Sequence, residues 1–218
     1  LHLQQEKELE ATKTILKVQE EERGRVAKDL HDGLGGMLSG IKLNLSAMKG
    51  NVILQHQDAG LFTKSIEQLD NAISEMRRVA HNMMPESLLK FGLTQAIQDY
   101  CESINESKII QLAYKDIGMN ERLDNSIEIV LYRIIQELVN NSIKHAQAQH
   151  VIIQLVKNEK NVTLTVEDDG KGFDVNVLEK IKGFGLSNIQ SRVDYLKGNL
   201  EIESQNNIGT SFYITIPV

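Results

Sequence analysis

The chain has 218 residues, room for one large domain or two small ones. With 41% hydrophobic and 25% charged residues its composition is that of an ordinary globular protein, and a formal charge of −6 argues against a nucleic-acid binder, which is usually basic. A single cysteine, Cys101, excludes an intrachain disulfide and fits a reducing compartment. No run of about 18 apolar residues is present to span a membrane, and no secretory leader is evident.

Residues 1 to about 22 are rich in Glu, Gln and Lys, with Leu9, Ile15, Leu16 and Val18 on a loose stripe. This pattern predicts a charged helix of coiled-coil type. From Val26 it sharpens: Val26, Leu30, Leu34, Met37, Ile41, Leu45, Met48 and Val52 recur every three or four residues, the stripe of a helix-bundle element. Gly33, Gly35, Gly36 and Gly40 lie in the same helix, each costing roughly 0.5–1 kcal/mol relative to Ala. So many together predict a helix that bends, or is closely approached, at this point.

A turn region follows between Gly50 and Gly60, then a second stripe: Phe62, Ile66, Leu69, Ile73, Met76, Ala80 and Met83. Two such helices make an antiparallel hairpin with too little core to stand alone. Two copies packed as a four-helix bundle would bury both stripes, which predicts a homodimer.

Met84-Pro85-Glu86-Ser87 breaks the helix, and Phe91-Gly92-Leu93 opens another that runs to about Asn105, with Cys101 as a buried apolar side chain. Beyond it Ile109–Tyr114 reads as a strand and Leu123–Ala146 as a long helix. Val151–Val156 and Val162–Glu167 read as a hairpin, Leu186–Lys197 as a helix ended by Gly198, and Asn199–Ser204 with Thr210–Pro217 as a last hairpin around Asn206-Asn207. Helices mixed with mostly antiparallel strands define an α+β layer domain over 92–218. The expected division is thus a signalling helix or coiled coil at 1–22, a dimerisation unit at 23–91, and the layer domain.

Four clusters carry chemistry. His31-Asp32 stands near the glycines: a carboxylate beside an imidazole fixes its tautomer and stabilises positive charge on the ring while the other nitrogen attacks. An isolated pair of this kind is ordinarily solvated surface, and the far end of the chain lifts it above that. Glu137, Asn141, Lys144 and His145 share one helical face, with hard oxygens suited to magnesium and cations suited to phosphate. Asp168-Asp169-Gly170-Lys171-Gly172 follows a strand, a carboxylate at a strand end with glycines that let backbone approach a ligand. Gly183-Phe184-Gly185-Leu186 precedes a helix whose N-terminus can receive phosphate. Each of the last three alone is a weak signal, since Asp-Asp-Gly is often a hairpin bend and Gly-x-Gly before a helix commonly a turn; all three in this order and spacing are hard to explain that way. The remaining histidines read as bland: His2, His56 and His150 as surface, His81 as a cation near a helix end.

The last three clusters resemble the N, G1 and G2 boxes of the Bergerat-type ATPase domain shared by histidine kinases, type II topoisomerase ATPase subunits and heat-shock-90 chaperones. Glu22-Arg23-x-Arg25-Val26-Ala27-x-x-Leu30-His31-Asp32 resembles the phosphoacceptor segment of sensor histidine kinases that partner helix-turn-helix response regulators. The implied fold is a dimeric helical hairpin, forming a four-helix bundle, followed by an α/β-sandwich ATP-binding domain. The implied activity is autophosphorylation on His31 with ATP and Mg2+, then transfer to an aspartate of a response regulator.

Residue by residue, the resemblance implies Asp32 as general base and Asn141 as magnesium ligand, with Glu137 as a second ligand or water orienter. It puts Lys144 and His145 on phosphates, Asp168 on the adenine amino group, and Gly170 and Gly172 around that pocket. Gly183, Gly185 and Leu186 flank the phosphates, the segment from about 175 to 182 forms a short ATP lid, and Arg192 and Thr210 lie near the nucleotide. In this subfamily a Gln often stands four residues after the Asp and orients the water that dephosphorylates the regulator. Gly36 occupies that position here, so weak phosphatase activity is expected. The chain starts with Leu and is helical in pattern at once, so we expect a fragment that has lost an N-terminal part. Its expected place is the cytoplasm, free or as the cytoplasmic part of a membrane-anchored sensor. Competing readings are an ATP-binding scaffold without transfer, a conformational clamp of the chaperone or topoisomerase kind, and an anti-sigma type serine kinase, which lacks the N-terminal hairpin.

Overall fold

A computed structural model describes residues 2–48, 56–174 and 184–218. The chain divides into two compact units, Lys17–Glu86 and Ser87–Val218, the second also taking in Leu1–Leu16.

The first unit is helical. Helix α1 (His2–Lys28) runs without interruption through a π-helical segment, Asp29–Gly35, into α2 (Gly36–Met48). The glycine cluster therefore produces a widened turn, not a break. Helix α3 (His56–Met83) packs along the π segment and α2. Its direction follows from three contacts. Lys42 Nζ lies 2.5 Å from Asp70 Oδ1, a side chain at Gly35 would meet Met76 Cε at 3.1 Å, and one at Gly24 would meet Met84 Cε at 3.6 Å. Rising numbers on one helix pair with falling numbers on the other, so the hairpin is antiparallel, as the two stripes imply.

The expected turn between Gly50 and Gly60 is narrower than the sequence indicated. His56–Gly60 are already helical, and residues 49–55 lie outside the described residues. Of the four glycines only Gly35 is closely approached; Gly33, Gly36 and Gly40 face open space. Helix α2 has no buried residue, and Leu34, Met37, Ile41 and Met48 are 46–60% exposed.

The second unit is a sheet covered on one face by helices. After Pro85 a short helix not foreseen from the sequence, α4 (Glu86–Phe91), leads to Gly92, whose φ of +93° only glycine adopts readily, and then to α5 (Leu93–Glu106). Strand β1 (Gln111–Ile117) starts two residues later than expected. Helix α6 (Asn125–Asn141) opens on Asp124, whose side chain accepts from the Ser126 N–H at 2.8 Å. It passes into a second π-helical segment, Ser142–Ala146. Then come β2 (His150–Lys157), β3 (Asn161–Asp168), α7 (Phe184–Tyr195), β4 (Asn199–Gln205) and β5 (Gly209–Pro217). Helix α7 ends through Lys197 at φ +56°. Gly198 is instead required by close approach, since a Cβ there would lie 2.7 Å from Thr215 O.

The strand order is β1-β2-β3-β5-β4, with β1 parallel to β2 and every other pair antiparallel. Helices α5, α6 and α7 cover one face: α5 contacts β1, α6 contacts β3, and α7 contacts β4. Alternation sets the core. Val151, Ile153 and Leu155 of β2, Val162, Leu164 and Val166 of β3, and Phe212, Ile214 and Ile216 of β5 are buried beneath Ile134, Ile135, Leu138, Val139, Ile189 and Val193. Cys101 is buried among them as expected, and burial pushes its thiol up to about 11. On the free edge of β1 the Asn105 carboxamide accepts from the Leu112 N–H at 2.7 Å and donates to its carbonyl at 3.0 Å, blunting that edge. Among the described residues no helix is long and apolar enough to cross a membrane.

Candidate functional site

In the helical unit, Arg25 leads toward the histidine. Its guanidinium donates to Glu22 at 2.9 Å and to Asp29 at 2.9 Å, tying together the turn before the π segment. His31 Nδ1 lies 2.9 Å from Asp32 Oδ1, and both side chains are more than half exposed. A carboxylate at that nitrogen favours the Nδ1–H tautomer and leaves the lone pair on Nε2. The exposed imidazole is thus open to a large reactant, with the second ring nitrogen free of the Asp32 contact.

In the second unit the end of α6 carries Glu137 and Asn141, both partly exposed and one turn apart. The π segment then carries Ser142, buried, and Lys144 and His145, exposed. Gln147, at φ +53°, reverses the chain toward β2.

Asp168 ends β3. Positions 162, 164 and 166 of this strand are buried toward the helices, so parity places Asp168 on the same face, at the end of the sheet. Its Oδ1 accepts the Gly170 N–H at 2.9 Å, and Ser142 Oγ donates to Oδ2 at 3.1 Å. The ladder sets Thr210 directly opposite Asp168, and Ser204 opposite Thr210, so three polar residues stand abreast on β3, β5 and β4. Thr210 is buried, and its Oγ1 lies 3.0 Å from Ser204 Oγ.

The glycines after Asp168 answer to backbone approach. A Cβ at Gly170 would lie 2.5 Å from Ala146 Cβ, and the neighbouring Lys171 N–H donates to Ala146 O at 2.8 Å. Gly172, at φ +58°, is pressed against the carbonyls of Gln205 and Gly209. The loop is held to the β4–β5 hairpin by Asn207 N–H donating to Lys171 O at 2.7 Å and Phe173 N–H donating to Ser204 Oγ at 2.9 Å.

Ser142, Asp168, Gly170 and Thr210 thus meet where the exit of α6 reaches the end of β3, while Glu137 and Asn141 on the last turns of α6 and Lys144 and His145 on the π segment flank Ser142 in the chain. Leu186 is helical as expected, Gly185 lies inside the helix because α7 starts two residues earlier than read, and Arg192 is buried in its last turn. Gly183 and the expected lid segment 175–182 lie outside the described residues. His31 and Asp32 belong to the other unit.

Two residues, Ser142 and Ser204, went unread in the sequence. Ser142 directly follows Asn141, and its place one residue past a singled-out side chain was the available signal. Ser204 had none, because only strand register brings it beside Thr210. His150 is exposed, in agreement with its reading as surface, and its Nδ1 also lies 2.7 Å from Asp169 Oδ2.

Glu137 and Asn141 offer hard oxygens, the donor chemistry of Mg2+, which is commonly held by one or two protein oxygens together with substrate phosphates. Among the described residues no group of three or more His, Cys, Asp or Glu could hold a metal without such help.

Comparison with known proteins assigns both units. Residues 126–218 match the family described as histidine kinase-, DNA gyrase B- and HSP90-like ATPase, which places the second unit in that ATPase class. Residues 22–88 match a family described as histidine kinase, so a histidine-kinase segment precedes the ATPase-class domain in this chain. It is 33% identical over 209 residues to the signal transduction histidine-protein kinase/phosphatase DegS of Brevibacillus brevis, covering 94% of this chain and 53% of that protein. It is 31% identical over 210 residues to the oxygen sensor histidine kinase NreB of Staphylococcus carnosus, covering 94% of this chain and 59% of that protein. The chain therefore spans about half the length of these curated relatives. Its fold is similar to the histidine kinase domain of the Erythrobacter litoralis blue-light activated histidine kinase, with a TM-score of 0.50 at 17% identity, covering 84% of this chain and 94% of that one.

Proposed function

We propose that this chain phosphorylates itself on His31 from ATP and passes the phosphoryl group to an aspartate of a response regulator. The carrying observation is the His31 Nδ1–Asp32 Oδ1 pair, exposed on a chain that also holds an ATPase-class domain. Nε2 of the neutral ring attacks the γ-phosphorus in line, and the bond from that phosphorus to the β–γ bridging oxygen breaks as ADP leaves with the electron pair. Positive charge develops on the ring, and the Nδ1 proton faces Asp32, which stabilises it or accepts it. Little covalent chemistry falls to the protein, so positioning and charge neutralisation carry the rate.

The nucleotide site is proposed at the α6–β3–β5 junction. Asp168 accepts from the adenine amino group, since its two oxygens are already oriented by Gly170 and Ser142. Lys144 and His145 offer cationic contacts to phosphate, and the resemblance makes Gly185, Leu186, Arg192 and Thr210 further nucleotide contacts. Asn141 with Glu137 would hold Mg2+, whose charge offsets that of the phosphates. The exposed stripe Leu34, Met37, Ile41 and Met48 supports a homodimer in which two hairpins form a four-helix bundle. The likeness of the His31 segment to its subfamily makes a regulator with a helix-turn-helix output domain the proposed acceptor.

Weak phosphatase activity also belongs to this proposal. The Brevibacillus brevis relative is named a kinase/phosphatase, but Gly36 has no side chain with which to orient water.

Autophosphorylation with γ-labelled ATP and magnesium, wild type beside His31→Ala, tests the central step. Label on wild type alone, lost in acid and kept in base, is the expected result. ATP binding with no label on either protein would favour the scaffold or clamp reading.

A further inference from the structure

Asp169, the residue after the proposed adenine acceptor, makes more side-chain bonds than Asp168 does. Its Oδ1 accepts from two consecutive backbone N–H groups, Gln149 at 2.7 Å and His150 at 2.8 Å, and its Oδ2 lies 2.7 Å from His150 Nδ1. The Asp169 N–H donates back to His150 O at 3.3 Å, extending the β2–β3 ladder one step past Val151–Asp168. Partial desolvation pushes this carboxyl up, and the bonds from the His150 N–H, the His150 ring and the Gln149 N–H outweigh it, so it sits below the ordinary carboxylate value.

The place of this cluster matters more than its strength. Gln149 and His150 follow, after Gln147 and Ala148, the segment that leaves α6 carrying Ser142, Lys144 and His145. Asp169 lies in the loop that carries Asp168, Gly170 and Gly172. Three links join these two stretches: Ser142 to Asp168, Lys171 N–H to Ala146 O, and the Asp169 cluster. In the first, the Ser142 hydroxyl is also 3.1 Å from Leu138 O and has one proton to share. The second is a single backbone bond. The Asp169 carboxylate alone contributes several charge-assisted bonds, which are stronger than neutral ones.

From this geometry we infer that Asp169 is a positioning residue for nucleotide binding: its carboxylate staples the Asp168 loop to the exit of α6, so that adenine and phosphate contacts are set at a fixed separation. The inference rests on the proposed adenine role of Asp168. A loop freed from the staple must be ordered again at each binding event, which weakens affinity and leaves chemistry at saturation largely intact.

The test uses the full 218-residue chain. Wild type, Asp169→Ala, Asp169→Asn and Asp168→Asn are titrated with magnesium–ATP by calorimetry. Thermal midpoints are recorded, together with KM and the maximal rate of autophosphorylation. Asp169→Ala is expected to weaken binding about tenfold, expressed in KM with the maximal rate changed less than about twofold. Asp169→Asn keeps an oxygen for both N–H groups and is expected within about twofold of wild type. Wild-type affinity in Asp169→Ala beside lost affinity in Asp168→Asn would overturn the inference. So would equal losses in Asp169→Ala and Asp169→Asn, or a joint fall of midpoint and maximal rate in Asp169→Ala, which marks a merely structural role. Wild-type affinity in Asp168→Asn would remove the adenine assignment itself, and the staple with it.

Discussion

At the scale of single residues, the chemistry rests on pairs of different origin. His31 and Asp32 are neighbours in the chain, and their 2.9 Å contact needs only a local rotamer. Asp168 and Thr210 are 42 positions apart and meet because antiparallel register places them opposite each other. The first pair was legible in the sequence and the second was carried there only by resemblance, because register depends on the whole sheet. Gly36 offers a direct residue-scale prediction. It is helical, at φ −63° and ψ −46°, and a Cβ built there meets no neighbouring group within 4 Å. Gly36→Gln therefore fits without strain, and it is expected to raise dephosphorylation of the phosphorylated regulator by about tenfold or more. Phosphate release measured beside wild type checks this, and an unchanged rate would remove Gly36 as the cause of weak phosphatase activity.

Among the elements, two of the helices that carry proposed site residues pass through π-helical segments, Asp29–Gly35 at His31 and Ser142–Ala146 beside Asn141. Such wide turns are uncommon and concentrate at functional sites. The glycines at 33, 35 and 36 remove the side chains that would favour a regular α-helix. The double variant Gly33→Ala with Gly36→Ala meets no neighbour and adds roughly 1–2 kcal/mol of helix preference in total. It is expected to tighten the segment and slow autophosphorylation several-fold at unchanged ATP affinity. Equal rates in the labelling assay would show that the wide turn has no part in transfer.

Helix α4 supplies a second case. Arg122 donates to the buried Glu128 through Nε and a terminal nitrogen, at 2.9 and 2.6 Å, and to Leu88 O at 3.1 Å, while Glu128 also accepts the Leu123 N–H at 3.1 Å. Glu128→Ala strands these donors and is expected to cost about 2–3 kcal/mol, readable as a lower urea midpoint at an unchanged slope.

On the scale of the whole molecule, the two units differ in how they are held. The sheet unit buries a full layer: Ile97, Ile134, Ile135, Ile153, Leu155, Leu164 and Ile214 have no exposed surface at all. The hairpin buries few apolar side chains, among them Ala27, Ile73 and Ala80, and leaves the α2 stripe in solvent. A hairpin so thin is expected to depend on a second copy. Met37→Glu with Ile41→Glu puts charge on that stripe, and light scattering is expected to read a monomer where wild type reads a dimer. A dimer of undiminished stability would place the contact elsewhere.

Periodicity by itself determined that two long helices precede a mixed layer domain, because a 3.6-residue stripe and strand alternation are local consequences of which face is buried. It also determined the His31-Asp32 pair and the glycine-marked loop after β3, since these are contiguous. What only the tertiary structure decided lies at boundaries and crossings. Helix α4 is too short for its period to show. The turn at His31 widens without breaking because helix hydrogen bonding survives the glycines. The parallel β1–β2 pairing follows from strand ends joined through α6. The meeting of Ser142, Asp168, Thr210 and Ser204 is set by the packing of α6 on β3 and by the register of three strands, and neither is written in the spacing of any one segment.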